Sequence, residues 1–94
     1  MKPERIEELV SSYYNTDIIL IKSLDQKAEY TEIRSMMYFF MQNFTTLNVS
    51  EISKRFNRKP DYIINGIRNM DMYKMMPEKK FKFNQILKQI LNEK

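Results

Sequence analysis

The sequence predicts an all-α domain of five or six helices, and three observations lead there. Apolar residues recur three and four apart in stretches along the whole chain, which is the helical period. Helix-starting and helix-stopping residues separate those stretches: Pro3, Asn15, Asn48, Asn57, Pro60 and Pro77. The one run with strand propensity, Ile18 to Ile21, would have no second strand to pair with, so it reads as a short helix or buried turn. A chain of 94 residues makes one domain with a single modest core.

The first helix is expected from about Pro3 to Tyr14. Pro sits in its first turn, and Glu4, Glu7 and Glu8 lie near the positive end of its dipole. Ile6, Leu9, Val10 and Tyr13 form its apolar stripe. Asn15 ends it, and Thr16 or Asp17 can cap the Ile18–Ile21 run. Residues 22–30 are polar and irregular and read as a loop. Thr31 can cap the next helix, expected from about Glu32 to Phe44. Its stripe is Ile33, Met36, Met37, Phe40 and Phe44, with Tyr38, Phe39 and Met41 beside it. A helix apolar over most of its surface belongs at the centre. Eight Met, six Phe and six Tyr describe a core of large, adaptable side chains.

The stretch from Asn48 to Met70 reads as a helix, a tight turn and a second helix. Asn48 with Glu51 three residues on has capping-box spacing, and Val49, Ile52 and Phe56 give one apolar face. Asn57 tolerates the left-handed conformation of a helix stop. Pro60 and Asp61 suit a second helix start, with Ile63, Ile67 and Met70 as its buried stripe. Gly66 beside that stripe leaves a gap where another helix can approach closely. Two short helices joined by about three residues, with polar residues outside the second, form the helix-turn-helix pattern. The second, over about 60–73, would be the recognition helix, and Pro77 stops its continuation. Glu78 to Phe83 is a Lys-rich link or first turn. The last helix carries Phe83, Ile86, Leu87, Ile90 and Leu91 on one face; it either docks on the domain or offers residues 83–91 to a partner or a second copy. The expected organisation is therefore a helix-turn-helix domain over 1–76 and a C-terminal amphipathic helix over 77–94.

Composition removes several function classes. Without Cys there is neither a disulfide nor a thiolate metal site. Without His the commonest general base and metal ligand are missing. One Gly cannot build a phosphate-cradling loop. No catalytic residues, cofactor or metal are expected, and the chain is not expected to be an enzyme. No apolar run approaches the roughly 20 residues of a membrane span, and Met-Lys-Pro-Glu-Arg lacks a signal-peptide core, so a cytoplasmic protein is expected. The charge is polarised. Residues 1–50 hold five Lys/Arg against seven Asp/Glu, residues 51–94 eleven against five. Such a balance suits a face presented to a polyanion. Lys54, Arg55, Arg58 and Lys59 straddle the turn, where basic side chains would neutralise phosphates.

With its helices in order, the chain resembles the C-terminal DNA-binding domain of the bacterial replication initiator DnaA, a Trp-repressor-like helical domain. The opening helix with Tyr13-Tyr14, the run Ile33-Arg34-Ser35-Met36-Met37, the run Ser50-Glu51-Ile52-Ser53-Lys54-Arg55-Phe56 and the pair Ile67-Arg68 carry the resemblance, over roughly residues 3 to 73. It implies duplex DNA as the partner of a stand-alone module, a replication or transcription regulator of a bacterium, phage or mobile element. It also implies a phosphate contact for Arg34. The family's base-reading Asp-His-Ser/Thr-Thr is here Lys59-Pro60-Asp61-Tyr62, and its minor-groove arginine is here Gln26, with Lys27 beside it. No G-x-x-x-x-G-K run is present, so no ATP-driven initiator is expected.

These readings assign Arg34, Lys54, Arg55, Arg58, Lys59 and Arg68 to phosphates, Asp61, Tyr62 and Asn65 to bases, and Gln26 and Lys27 to a possible minor-groove loop. The alternative is a protein-interaction or structural module that kept the fold and lost the DNA.

Overall fold

The structure, a computed structural model, describes residues 1–93; the last residue of the expected 77–94 helix lies outside them. It contains six helices: α1 (Pro3–Tyr13), α2 (Ile18–Ile21), α3 (Ala28–Phe44), α4 (Val49–Phe56), α5 (Pro60–Tyr73) and α6 (Pro77–Asn92), with no strand among the described residues.

Asparagine sets two of the boundaries. Asn15 and Asn57 both take positive φ, near 50°, and are the only described non-glycine residues that do. Each turns the chain so that the next residue's N–H reaches back five residues: Thr16 to the Ser11 carbonyl, Arg58 to the Ser53 carbonyl. Asn tolerates this conformation because its short polar side chain can bond locally. Asp17 caps α2 by accepting from the Ile19 N–H at 2.8 Å. Asn48 and Glu51 form the reciprocal capping box that opens α4.

One boundary differs from expectation. α3 begins at Ala28, so residues 28–30 are helical rather than loop, and Thr31 is not its cap. Instead, Thr31 donates its hydroxyl to the Lys27 carbonyl from inside the helix. Tyr30 explains the extra turn: it is buried, with Lys27 and Arg34 cations over its ring, and that packing needs a helical backbone. Of the two readings of residues 78–83, a link or a first turn, the structure has the second: they are helical. Pro77 starts α6 as its first residue, with Glu78 in the first turn.

α3 is the hub, packing against α1, α2, α4 and α5. Ile33, Met36, Met37, Phe40, Ile52, Phe56 and Ile63 are buried in one core; Ile67, expected with them, is half-buried at its edge. Burial of each such side chain stabilises by about 1.5–3 kcal/mol. α6 lies against α1, and Phe83 stacks on Phe40 with centroids 5.2 Å apart. Phe83, Ile86 and Ile90 are buried, so much of the 83–91 face is covered within the chain, while Leu91 is exposed. The radius of gyration, 12.1 Å, is that of one packed body of this length, about 12 Å.

Two carboxylates hold the outer helices. Glu32 accepts from the Tyr14 hydroxyl at 2.7 Å and pairs with Lys79 and Lys82, joining α1, α3 and α6. Glu7 pairs with Lys22 and Arg55, joining α1 to α2 and α4. Burial pushes both carboxyls up, but the hydrogen bonds and charges of their partners outweigh it and hold both below the usual carboxylate value.

Candidate nucleic-acid interface

The face begins at the α4–α5 turn. Ile52 and Phe56 anchor α4 in the core, which leaves Lys54 pointing outward. The left-handed Asn57 and the extended Lys59 then reverse the chain into Pro60. Ser53, Lys54, Asn57, Arg58 and Lys59 ring a shallow depression at this turn. α5 continues from it with Asp61, Asn65 and Arg68 exposed; steps of four and three keep them on one side of the helix.

Arg58 links the turn to α5. Its guanidinium lies 4.6 Å from the centroid of the Tyr62 ring and donates to the Ser23 carbonyl. Tyr62 is half-buried and meets the Tyr38 ring edge-on at 6.3 Å. Lys54, Lys59 and Arg68 are exposed and form no ion pair among the described residues. Gln26 and Lys27 are exposed in the segment before α3; Gln26 donates to the Leu24 carbonyl, and the Lys27 ammonium sits 5.6 Å from the Tyr30 ring.

Two of the expected phosphate ligands are placed otherwise. Arg55 points away from the turn toward α1. Its Nε and Nη2 donate to the two carboxylate oxygens of Glu7 at 2.9 and 3.0 Å, and Nη2 also reaches Glu4 at 3.1 Å. These bonds leave little of its planar donor set for a phosphate. Arg34 is only 1 % exposed. Its Nε donates to the Ile21 carbonyl at 2.6 Å and its Nη2 to the Ser23 carbonyl at 2.8 Å, so it anchors the segment after α2. Arg55, beside the turn, reads the same in sequence whether its partner is solvent or a distant helix; Arg34, assigned through the resemblance, lies inside α3 with carbonyl partners 13 and 11 residues back.

The basic second half of the chain is also less one-sided than its composition. Lys79 and Lys82 neutralise Glu32, and Lys74 lies over the Phe39 and Phe83 rings at 4.2 and 4.7 Å. What remains at the turn is a smaller cluster: Lys54, Arg58 and Lys59, followed by Arg68.

One feature was not foreseen from the sequence. Ser35 and Tyr38 on α3 and Asn69 on α5 line a cavity between those helices, shared with Arg34, Tyr62 and Asn65. Its signals were Gly66, where the helices meet closely, and the polar Ser35 within an otherwise apolar helix. No protein-family model matches this chain, and no curated protein is significantly similar to it. No described helix is long and apolar enough to cross a membrane.

Proposed function

We propose that this chain binds duplex DNA, with α4 and α5 acting as a helix-turn-helix. The observation that carries the reading is the turn itself: Lys54 and Lys59 are exposed without acidic partners, and Arg58 continues them onto a helix whose outer face is Asp61, Asn65 and Arg68. An unpaired basic cluster at the mouth of a helix with polar groups outward suits phosphate positioning beside base reading. Lys54, Arg58, Lys59 and Arg68 take the phosphates. Asn65 takes an adenine edge, Asp61 a cytosine amino group and Tyr62 a thymine methyl. Gln26, with Lys27 beside it in the sequence, matches the position from which the resembled family reaches the minor groove. The resemblance to the DnaA C-terminal domain adds a setting, a cytoplasmic regulator of replication or transcription. The role is binding, not catalysis.

The test is affinity for generic duplex as a function of salt. Four phosphate contacts give a log–log slope of about −3 to −4. The Lys54→Ala, Lys59→Ala double variant is expected to flatten that slope by about two. Absence of binding at low salt, or a slope indifferent to these substitutions, overturns the reading.

A second reading has its own observation. Met72, Met75, Met76 and Phe81 are all exposed around the α5–α6 turn, Met75 by 84 % and Phe81 by 61 %. Large apolar side chains exposed within one ten-residue stretch suit a protein partner. Duplex binding that fails while this surface captures a second copy in light scattering favours that reading.

A further inference from the structure

Leu24 stands almost bare in the segment that Arg58 ties to the basic turn. It is 77 % exposed, and among the described large apolar residues only Met75 is barer. The chain on both sides of it is fastened. The Ser23 carbonyl, immediately before it, receives both Arg34 and Arg58. The Ser23 hydroxyl donates to the Leu20 carbonyl at 2.6 Å and accepts from the Asp25 N–H at 3.3 Å. Gln26 donates to the carbonyl of Leu24 itself at 3.3 Å. Asp25, the acid next to it, accepts from the Lys27 N–H at 3.0 Å at the start of α3, where the helix dipole offsets its charge. A hydrophobic side chain is thus held out into water on a backbone pinned before and after it, which is how a contact group is preorganised.

The same bonds place it. Arg58 belongs to the α4–α5 turn and lies over the Tyr62 ring of α5. Gln26, two residues past Leu24, lines one cavity together with Tyr62, Asn65 and Asn69 of α5. Residues 23–26 therefore flank α5, beside the turn from which it starts. A helix with its side chains is about 10–12 Å across, and the major groove is about 12 Å wide. A recognition helix fills the groove it enters, so a prong at its flank meets the phosphate row or the minor groove beyond it. Against phosphates a leucine gains nothing, where Lys or Arg would gain a charge pair. Between two bases it leaves water, and apolar wedges of this kind enter base steps from the minor groove.

We infer that Leu24 is a wedge that enters a base step from the minor groove beside α5 and kinks the duplex. This rests on the proposed duplex binding and adds a source of sequence choice to it. Steps that unstack easily, such as TpA, accept a wedge at lower cost than a stiff A-tract, and that preference needs no contact with a base edge.

The experiment uses the whole chain and two short duplexes with a dye at each end, alike except for a central TpA step in one and an A-tract in the other. Fluorescence anisotropy reads binding, and energy transfer between the dyes reads bending. The parent chain is expected to shorten the end-to-end distance of the TpA duplex and to bind it about tenfold more tightly than the A-tract duplex. Leu24→Ala changes an exposed tip and leaves the core untouched. It is expected to bind both duplexes with the parent's salt slope, to lose the shortening and to level the two affinities. Leu24→Met, which keeps an apolar prong, is expected to retain the shortening. Ile19→Ala, at a position 74 % exposed on α2, is expected to behave as the parent. A parent chain that binds both duplexes with a steep salt slope and shortens neither overturns the wedge and leaves duplex binding standing. A parent chain that binds neither at low salt overturns both. Shortening that survives in Leu24→Ala, or is lost equally in Ile19→Ala, overturns the wedge as well.

Discussion

Arg55 and Glu7 form a two-pronged pair across 48 residues of chain, with Nε and Nη2 of one on the two carboxylate oxygens of the other. The pair ties α4 to α1 and takes Arg55 out of the basic turn. Arg55→Ala is therefore expected to lower stability by about 1–2 kcal/mol, a figure reduced for partial exposure of the guanidinium. If the chain binds duplex, the same variant leaves the salt slope unchanged, whereas Lys59→Ala flattens it by about one. Chemical denaturation and a binding isotherm on both variants check this; equal slope changes would return Arg55 to the phosphate set.

Acid should unfold the protein through Glu7 and Glu32. Both carboxyls are held below their ordinary value of 4.5 in the fold by their cationic and hydroxyl partners. Below that ordinary value, the unfolded chain takes up protons that the folded one refuses, so acid favours unfolding. The contribution of each group is complete above about pH 5 and is lost as pH falls through the depressed folded values. Melting temperature is expected to drop across that window. Glu32→Gln should melt lower at neutral pH and show a shallower acid limb; an acid limb as steep as in the parent would assign the transition to other groups.

At Gly66, α5 packs directly against Tyr38 and Ser35 of α3. A Cβ there would stand 2.8 Å from Cδ2 of Tyr38, and that ring is itself wedged against Phe56 and Tyr62. Gly66→Ala ordinarily stabilises a helix interior by up to about 1 kcal/mol. Here the overpacking is expected to win, with a net loss of about 1–3 kcal/mol by denaturation. A gain would show that Tyr38 gives way.

Asn57 isolates the left-handed stop from the side chain that fills it. Asn57→Gly is expected to be neutral within about 0.5 kcal/mol, since glycine adopts that conformation freely. Asn57→Ala should cost about 1 kcal/mol, because its Cβ meets the following carbonyl and offers no compensating bond. Equal stabilities would mean the turn has relaxed to another geometry.

Phe40 is wholly buried and stacked on Phe83. Phe40→Ala is expected to destabilise by about 3–5 kcal/mol in a denaturant titration. A change below about 1 kcal/mol would contradict its place at the centre of the core.

The sequence spoke most clearly where a rule is local. The Asn48–Glu51 box, the left-handed Asn57 and the first-turn Pro60 all involve residues within four positions of one another, and each has the expected geometry. The α3 start was misplaced because its cause is tertiary: Tyr30 becomes helical by burying its ring, and no residue near Lys27 announces that. The candidate interface divides the same way. Exposure of Lys54 and Lys59 arises from the amphipathic period of α4 and the turn after it. The fates of Arg34 and Arg55 depend on Ser23 and Glu7, partners 11 and 48 residues away, which no periodicity can locate.

The Ser23 carbonyl receives two guanidiniums, Arg34 from the centre of the fold and Arg58 from the turn before α5. That single oxygen makes the segment after α2 a latch rather than a connector. When the segment detaches, both arginines lose a partner in the same event, so α2 and the α4–α5 turn open as one cooperative unit. In hydrogen exchange, the amides of Lys22 and Ser23 and that of Arg58 would share one opening free energy despite lying on separate parts of the chain.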